Sequence, residues 1–292
     1  MSSPASDGEV RFVEASDGRR LAWRYWPAEN CRGIILAVHG IQSHSGWYSY
    51  SSQRLSAAGF SVCFADRRGS GLNGRERGHA RHGMQLVHDL RTLQKEVLSL
   101  HPPATPLHLL GLSWGAKTAA ATAALFPHEC SSLTLLYPGL FPLLKPTWLQ
   151  RLQLRLARKL EIVRPYIPIP LEAPTLFTDD PRFQDFIAED PLALHTVSSS
   201  LLNAGHDLDE ILQTHLPAFH HPILVMLAGH DQIIDNTATR NWLERQPLKG
   251  LKIIEWPNAR HTLEFAADRE EIFDSLVQWL QTAEGGTRWQ AG

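Results

Sequence analysis

The chain has 292 residues, 43% of them hydrophobic and 20% charged, which is enough to bury a core without disulfides or a structural metal. Lys and Arg number 28 against 30 Asp and Glu, a net charge of −2, so no basic surplus calls for nucleic acid. The three scattered cysteines (Cys31, Cys63, Cys130) form neither a disulfide framework nor a zinc cluster, residues 1–11 lack the layout of a secretion signal, and no run of apolar residues is long enough to span a membrane, so a cytoplasmic protein is expected.

Two alternating stretches over 9–26, around Ser16-Asp17-Gly18, predict a β-hairpin. Residues 33–38 are a continuous apolar run of strand length, and similar runs follow at 61–65, 107–112, 133–137, 223–228 and 251–256. Between them, helical spacing marks 84–100, an Ala- and Thr-rich stretch over 114–126, and 271–280. Strands alternating with helices predict an α/β protein with a mostly parallel sheet covered on both faces. The rhythm breaks over 140–217, where helical patterns are punctuated by prolines, and this stretch reads as a helical cap inserted into a core made of 1–139 and 218–284. Its clearest helix is 148–163, with leucines on one side and Arg151, Arg155 and Arg158 on the other. That pattern suits packing on the core, and its basic face also suits peripheral contact with a lipid surface. Residues 285–292 read as a disordered tail.

Gly111-Leu112-Ser113-Trp114-Gly115 is the one G-x-S-x-G in the chain, and it lies where a predicted strand meets a predicted helix. A serine on such a tight turn is exposed at the carboxyl edge of the sheet, under the N–H groups of the following helix. Its hydroxyl needs a base and the base needs an orienting acid. His261 lies in a short loop after the last strand, and Asp231 follows the strand at 223–228; Asp235 ranks second as the acid because it precedes a helix start. The order Ser113, Asp231, His261 is the one expected of a nucleophile elbow. The oxyanion would be met by the N–H of Trp114 and by a second from the loop His39-Gly40-Ile41-Gln42, with Ile41 preferred and Gln42 next, while His39 braces that loop. His215, His220 and His221 lack companions at ligand spacing, and no H-E-x-x-H, P-loop or G-x-G-x-x-G occurs, so neither metal nor cofactor is expected.

With these residues in place, the chain resembles the α/β-hydrolase superfamily, and within it the monoacylglycerol lipase and lysophospholipase branch, also called the serine aminopeptidase S33-like group. The resemblance runs from about 10 to 280 and rests on His39-Gly40 with His44-Ser45-Gly46 and Tyr48, Asp66-Arg67-Arg68-Gly69-Ser70-Gly71 with Gly74, Gly111 to Gly115, Gly229-His230-Asp231, and Ala259-Arg260-His261. It implies an α/β-hydrolase fold with an eight-stranded sheet and a helical cap, catalysis by Ser113, Asp231 and His261, oxyanion donors at Ile41 and Trp114, and a structural part for the Asp66 turn. Where that family's turn often carries a serine, this chain has Leu72-Asn73. The expected activity is hydrolysis of carboxylic esters with apolar acyl groups, on a small ester or monoacyl lipid, through an acyl-enzyme. Apolar cap residues, among them Leu140, Phe141, Trp148 and Phe177, would line the acyl pocket. The same scaffold also hosts thioesterases, amidases, acyltransferases and slow-turnover ligand-binding proteins.

Overall fold

A computed structural model describes residues 7–143 and 166–285 of the chain. The alternating stretches around Ser16-Asp17-Gly18 form β1 (Glu9–Glu14) and β2 (Arg20–Trp26), paired antiparallel with Glu9 opposite Tyr25. Gly18 takes φ +75°, the left-handed conformation that this tight turn requires. The apolar runs become β3 (Gly33–Val38), β4 (Phe60–Ala65), β5 (Leu107–Leu112) and β6 (Ser132–Leu136), with every residue buried. Two short strands that the sequence pattern does not reveal, β7 (Tyr166–Pro168) and β8 (Thr196–Ser198), pair with each other as an antiparallel ribbon. At three residues each they are too short to show a period. β9 (Ile223–Ala228) is again wholly buried, whereas β10 (Leu251–Trp256) is half-exposed at the sheet's edge. The described residues thus form an eight-stranded sheet in the order β1-β2-β4-β3-β5-β6-β9-β10, parallel from β4 to β10 and antiparallel at β2.

The helices on the sheet are α1 (Ser49–Ala57), α2 (Gly83–Ser99) and α3 (Gly115–Leu125). α1 is unexpected, because its serine-rich sequence carries almost no apolar stripe; it buries Ser51, Ser52 and Leu55. α2 starts at His82, whose ring accepts the Gln85 N–H. α3 is buried from Gly115 to Ala124, and its small side chains let it lie close to the sheet. Further on come α4 (Pro181–Glu189), α5 (Ser199–His215), α6 (Asn236–Glu244) and α7 (Arg269–Gly285).

The stretch expected as a cap divides in two. α5 packs on α2 and α3, with Lys117 of α3 paired to Asp209 at 2.7 Å and the Gly83 N–H donated to Asp207 at 3.0 Å, so it belongs to the layer that flanks the sheet. A helix at the end of an insertion reads like its neighbours in sequence, and only its packing separates it. The part before α5 ties to the core loops instead. Leu194 donates its N–H to Gln42 O at 2.9 Å, Asp190 accepts from His44 at 3.0 Å and from Trp47 at 2.5 Å, and Thr262 donates to Phe177 O at 3.0 Å. The helix expected over 148–163, Trp148 and the lipid-surface contact assigned to that helix lie outside the described residues. α7 continues to Gly285, one residue into the expected tail, because Trp279, Leu280 and Ala283 are buried and hold its last turns against the core; 286–292 lie outside the described residues. No described helix is long and apolar enough to cross a membrane.

Candidate active site

Because β3 lies between β4 and β5, the chain leaves β3 toward one side and later returns on the other, and the loops after β3 and β5 open a crevice at the carboxyl edge. Register then decides what meets there. Val38 pairs with Gly111, Leu112 with Leu136, Leu136 with Met226 and Ala228 with Trp256, so the residues just past five strand ends lie along one edge.

Ser113 is the first residue beyond β5 and has φ +48°, a conformation that costs a side-chain-bearing residue about 1 kcal/mol or more. Its N–H donates to Leu136 O at 3.0 Å, and its carbonyl accepts from Ala116 at 3.0 Å and Gly139 at 2.8 Å, which holds the turn in place. The motif's glycines answer to close approach. A Cβ on Gly111 would stand 2.5 Å from Ala116 Cα, and one on Gly115 would stand 2.3 Å from His39 O. Ser113 and Trp114 are partly exposed between the buried Leu112 and Gly115.

Ser113 Oγ lies 2.8 Å from His261 Nε2, and His261 Nδ1 lies 2.7 Å from Asp231 Oδ2. An ionised carboxylate only accepts, so Nδ1 carries the hydrogen and the Nε2 lone pair faces the serine. The other Asp231 oxygen accepts the N–H groups of Ile233 and Ile234 at 2.8 and 3.0 Å, and the Asp231 side chain is shielded from solvent. Asp235 instead caps α6, accepting the Ala238 N–H at 2.9 Å. The Tyr137 ring meets the His261 ring edge-on at 4.7 Å, and Phe177 meets it at 6.0 Å. Burial pushes the Tyr137 phenol well above its ordinary range, so this neighbour stays neutral.

The loop after β3 passes beside the nucleophile: a Cβ on Gly40 would lie 3.5 Å from Ser113 Oγ. The N–H groups of Ile41, Gln42 and Trp114 have no hydrogen-bond partner among the described residues. His39 braces the loop, donating from Nδ1 to Gly40 O at 2.8 Å and accepting the Arg67 N–H on Nε2 at 3.0 Å. Burial, reinforced by the Arg67 charge, holds that ring neutral, well below the usual histidine range.

Of the expected pocket residues, Phe177 is at the site, buried against His261 and Trp47. Leu140 is partly buried just after Gly139, whereas Phe141 turns toward Trp242 of α6, 6.2 Å between ring centres. Sequence reasoning gives no role to Tyr137 or Trp47, although Tyr137 stands just after the buried run of β6, the same kind of strand-end place that marks Ser113 and Asp231. Asn73, in place of the turn serine, accepts the Ala22 N–H at 2.9 Å and donates to Asp66 O at 2.7 Å, joining that turn to β2.

Glu264 lies just past His261, fully buried, with one oxygen accepting the Ser51 N–H at 3.0 Å. Burial pushes its carboxyl up from 4.5 to about 7. In that window the folded chain holds a proton that the unfolded chain has released, so stability falls as pH rises from 4.5 through about 7. Glu264→Gln removes the ionisation. Its stability relative to wild type is expected to improve by on the order of 3 kcal/mol between pH 5 and pH 8, read by urea unfolding at each pH. A difference that does not change with pH would refute the assignment.

The model of the serine aminopeptidase S33 family matches residues 29–268. The monoacylglycerol lipase of Mycolicibacterium smegmatis is 26% identical over 271 residues, which is 90% of this chain and 93% of that protein. The monoglyceride lipase of Saccharomyces cerevisiae is 24% identical over 297 residues, 91% of each. The structure of a soluble variant of that yeast enzyme, solved with a substrate analog, superposes with a TM-score of 0.83 at 20% identity over 97% of both chains. That of Paleococcus ferrophilus monoacylglycerol lipase superposes with a TM-score of 0.79 at 24% identity, over 90% of this chain and 99% of the other.

Proposed function

Given that the chain belongs to the serine aminopeptidase S33 family and has the α/β-hydrolase fold, we propose that it hydrolyses carboxylic esters with apolar acyl groups, of the monoacylglycerol or lysophospholipid kind, through an acyl-enzyme. The observation that carries this reading is the hydrogen-bonded series from Ser113 through His261 to Asp231, at 2.8 and 2.7 Å, behind a left-handed turn. Ser113 Oγ attacks the ester carbonyl while His261 Nε2 takes its proton. The N–H groups of Trp114 and Ile41, with Gln42 as the next choice to Ile41, receive the oxyanion, which is the largest single source of stabilisation in such reactions. The intermediate collapses, the C–O bond to the alcohol breaks, and His261 returns the proton to the leaving oxygen. Water, deprotonated by His261, then attacks the acyl-serine; the Ser113 Oγ–acyl bond breaks, His261 returns the proton to Ser113 Oγ, and the acid is released. Asp231 orients the ring and supports the imidazolium throughout.

The cap in this reading is 140–198, with α5 assigned to the core. Phe177, held against His261, and Leu140 border the acyl group, and their apolar character supports a lipid-like acyl chain. The names of the lipase relatives point the same way.

The test is a turnover panel of p-nitrophenyl esters and monoacylglycerols of graded acyl length, beside labelling with a fluorophosphonate. Labelling is expected, with kcat/KM rising from acetate to medium-chain esters. An unlabelled chain that turns over none of them would sink the reading. Thioester or amide turnover exceeding that of the matched ester would assign the same residues to a different acyl transfer.

A further inference from the structure

Arg67 follows Asp66 in the turn after β4 and is only 4% exposed. Its guanidinium does not point at a carboxylate. Nη1 donates to Gly40 O at 2.8 Å, and Nη2 donates to Ile41 O at 2.9 Å. The nearby carboxylate of Asp66 is taken up by the N–H groups of Ser45 and Leu72, each at 2.8 Å. The guanidinium carbon also lies 4.9 Å from the centre of the Trp114 ring. One buried cation therefore touches both segments that carry the candidate oxyanion donors.

In a planar trans peptide the N–H points opposite to the C=O. With the Gly40 carbonyl turned toward Arg67, the Ile41 N–H is turned away from it. The bond to the Ile41 carbonyl does the same for the Gln42 N–H. A positive charge behind these two peptides also polarises them in the direction that favours an anion in front. Gly40 O receives a second hydrogen bond from His39 Nδ1 at 2.8 Å, so the first of the two peptides is held from two sides.

We propose that Arg67 is a positioning residue of the oxyanion hole: its two N–H groups hold the 40–41 and 41–42 peptides, and its stacked face holds Trp114, so the donors are aimed before the oxyanion forms. This rests on the assignment of Ser113 as nucleophile. A single-point cation such as lysine could meet one carbonyl but not both at this geometry. Burial pushes the guanidinium down to about 10, which still leaves it charged at neutral pH.

The test compares wild type with Arg67→Met and Arg67→Lys on a p-nitrophenyl ester and on the matching thionoester, in which sulfur replaces the carbonyl oxygen. Sulfur is larger and a weaker acceptor of N–H hydrogen bonds, so an aimed oxyanion hole favours the oxygen ester. Arg67→Met is expected to lower kcat on the oxygen ester by about 10²-fold with KM changed less than about threefold. The thionoester should lose much less, shrinking the ester-to-thionoester ratio by about tenfold, and Arg67→Lys should fall between. Circular dichroism melting checks that each variant folds. If a folded Arg67→Met keeps kcat within about twofold of wild type, or loses both substrates equally, the proposal is overturned. If only Arg67→Lys folds, the same ratio in that variant decides. If neither folds, Arg67 is a fold-stabilising residue and the proposal falls. A wild type that a fluorophosphonate does not label would instead overturn the Ser113 assignment itself.

Discussion

Ser113→Ala is expected to lower kcat on a p-nitrophenyl ester by about 10⁵- to 10⁶-fold, and to abolish fluorophosphonate labelling, while the protein still folds. The size of the loss follows from the geometry. Ser113 Oγ is the atom in hydrogen-bond reach of His261 Nε2, at 2.8 Å, and it stands beside the loop that carries the candidate donors. Removing it takes away the nucleophile that His261 is placed to deprotonate. Whatever activity persists would come from the oxyanion hole and from substrate binding. Alanine bears the strain of φ +48° as serine does, so the turn itself is little changed. A folded variant within tenfold of wild type, or equal labelling of both proteins, would place the nucleophile elsewhere.

The second large effect is expected from Asp231→Asn, about 10⁴-fold in kcat at neutral pH. The backbone makes this substitution unusually informative. One Asp231 oxygen accepts two N–H groups, from Ile233 and Ile234, so in the variant the amide oxygen must take that place. The amide NH₂ then faces His261 Nδ1, where the carboxylate oxygen stood at 2.7 Å. Two donors cannot share one hydrogen bond, so the ring moves its hydrogen to Nε2 and presents a donor to Ser113. It can no longer take the serine proton. Asp235→Asn supplies the control, because asparagine caps a helix about as well as aspartate and the Asp235 carboxylate accepts from the start of α6, while its bond to Phe141 O is made by the backbone and survives the substitution. That variant should keep wild-type kcat. Comparable losses in both would mean that the acid had been assigned to the wrong carboxylate.

How much of this was legible beforehand follows from where each residue sits. Ser113, Asp231 and His261 each come within a few residues of the end of a strand, β5, β9 and β10; β9 is a continuous apolar run and β5 is one interrupted by His108. A parallel sheet collects such positions along one edge, so their chain order already pointed to their meeting. α1 escaped notice because its serines carry no period, and the β7–β8 ribbon because three-residue strands have none to show. α5 falls within the helical patterns of 140–217, but its place against α2 and α3 depends on contacts with residues such as Lys117, some ninety positions away.

By itself, then, the sequence determined the alternation of the main strands and helices and the places of Ser113, Asp231 and His261 just past strand ends, because each depends on local patterns of burial and on the tightness of one turn. Tertiary structure alone decided the rest. It packed α5 against α2 and α3, put Phe177 and Tyr137 against His261, and directed a buried arginine at the backs of two peptides instead of at an acid. The physical reason is range: an apolar period is written in neighbouring residues, whereas the partner of a buried charge or the face of a ring is chosen by whatever the folded chain brings within a few ångströms.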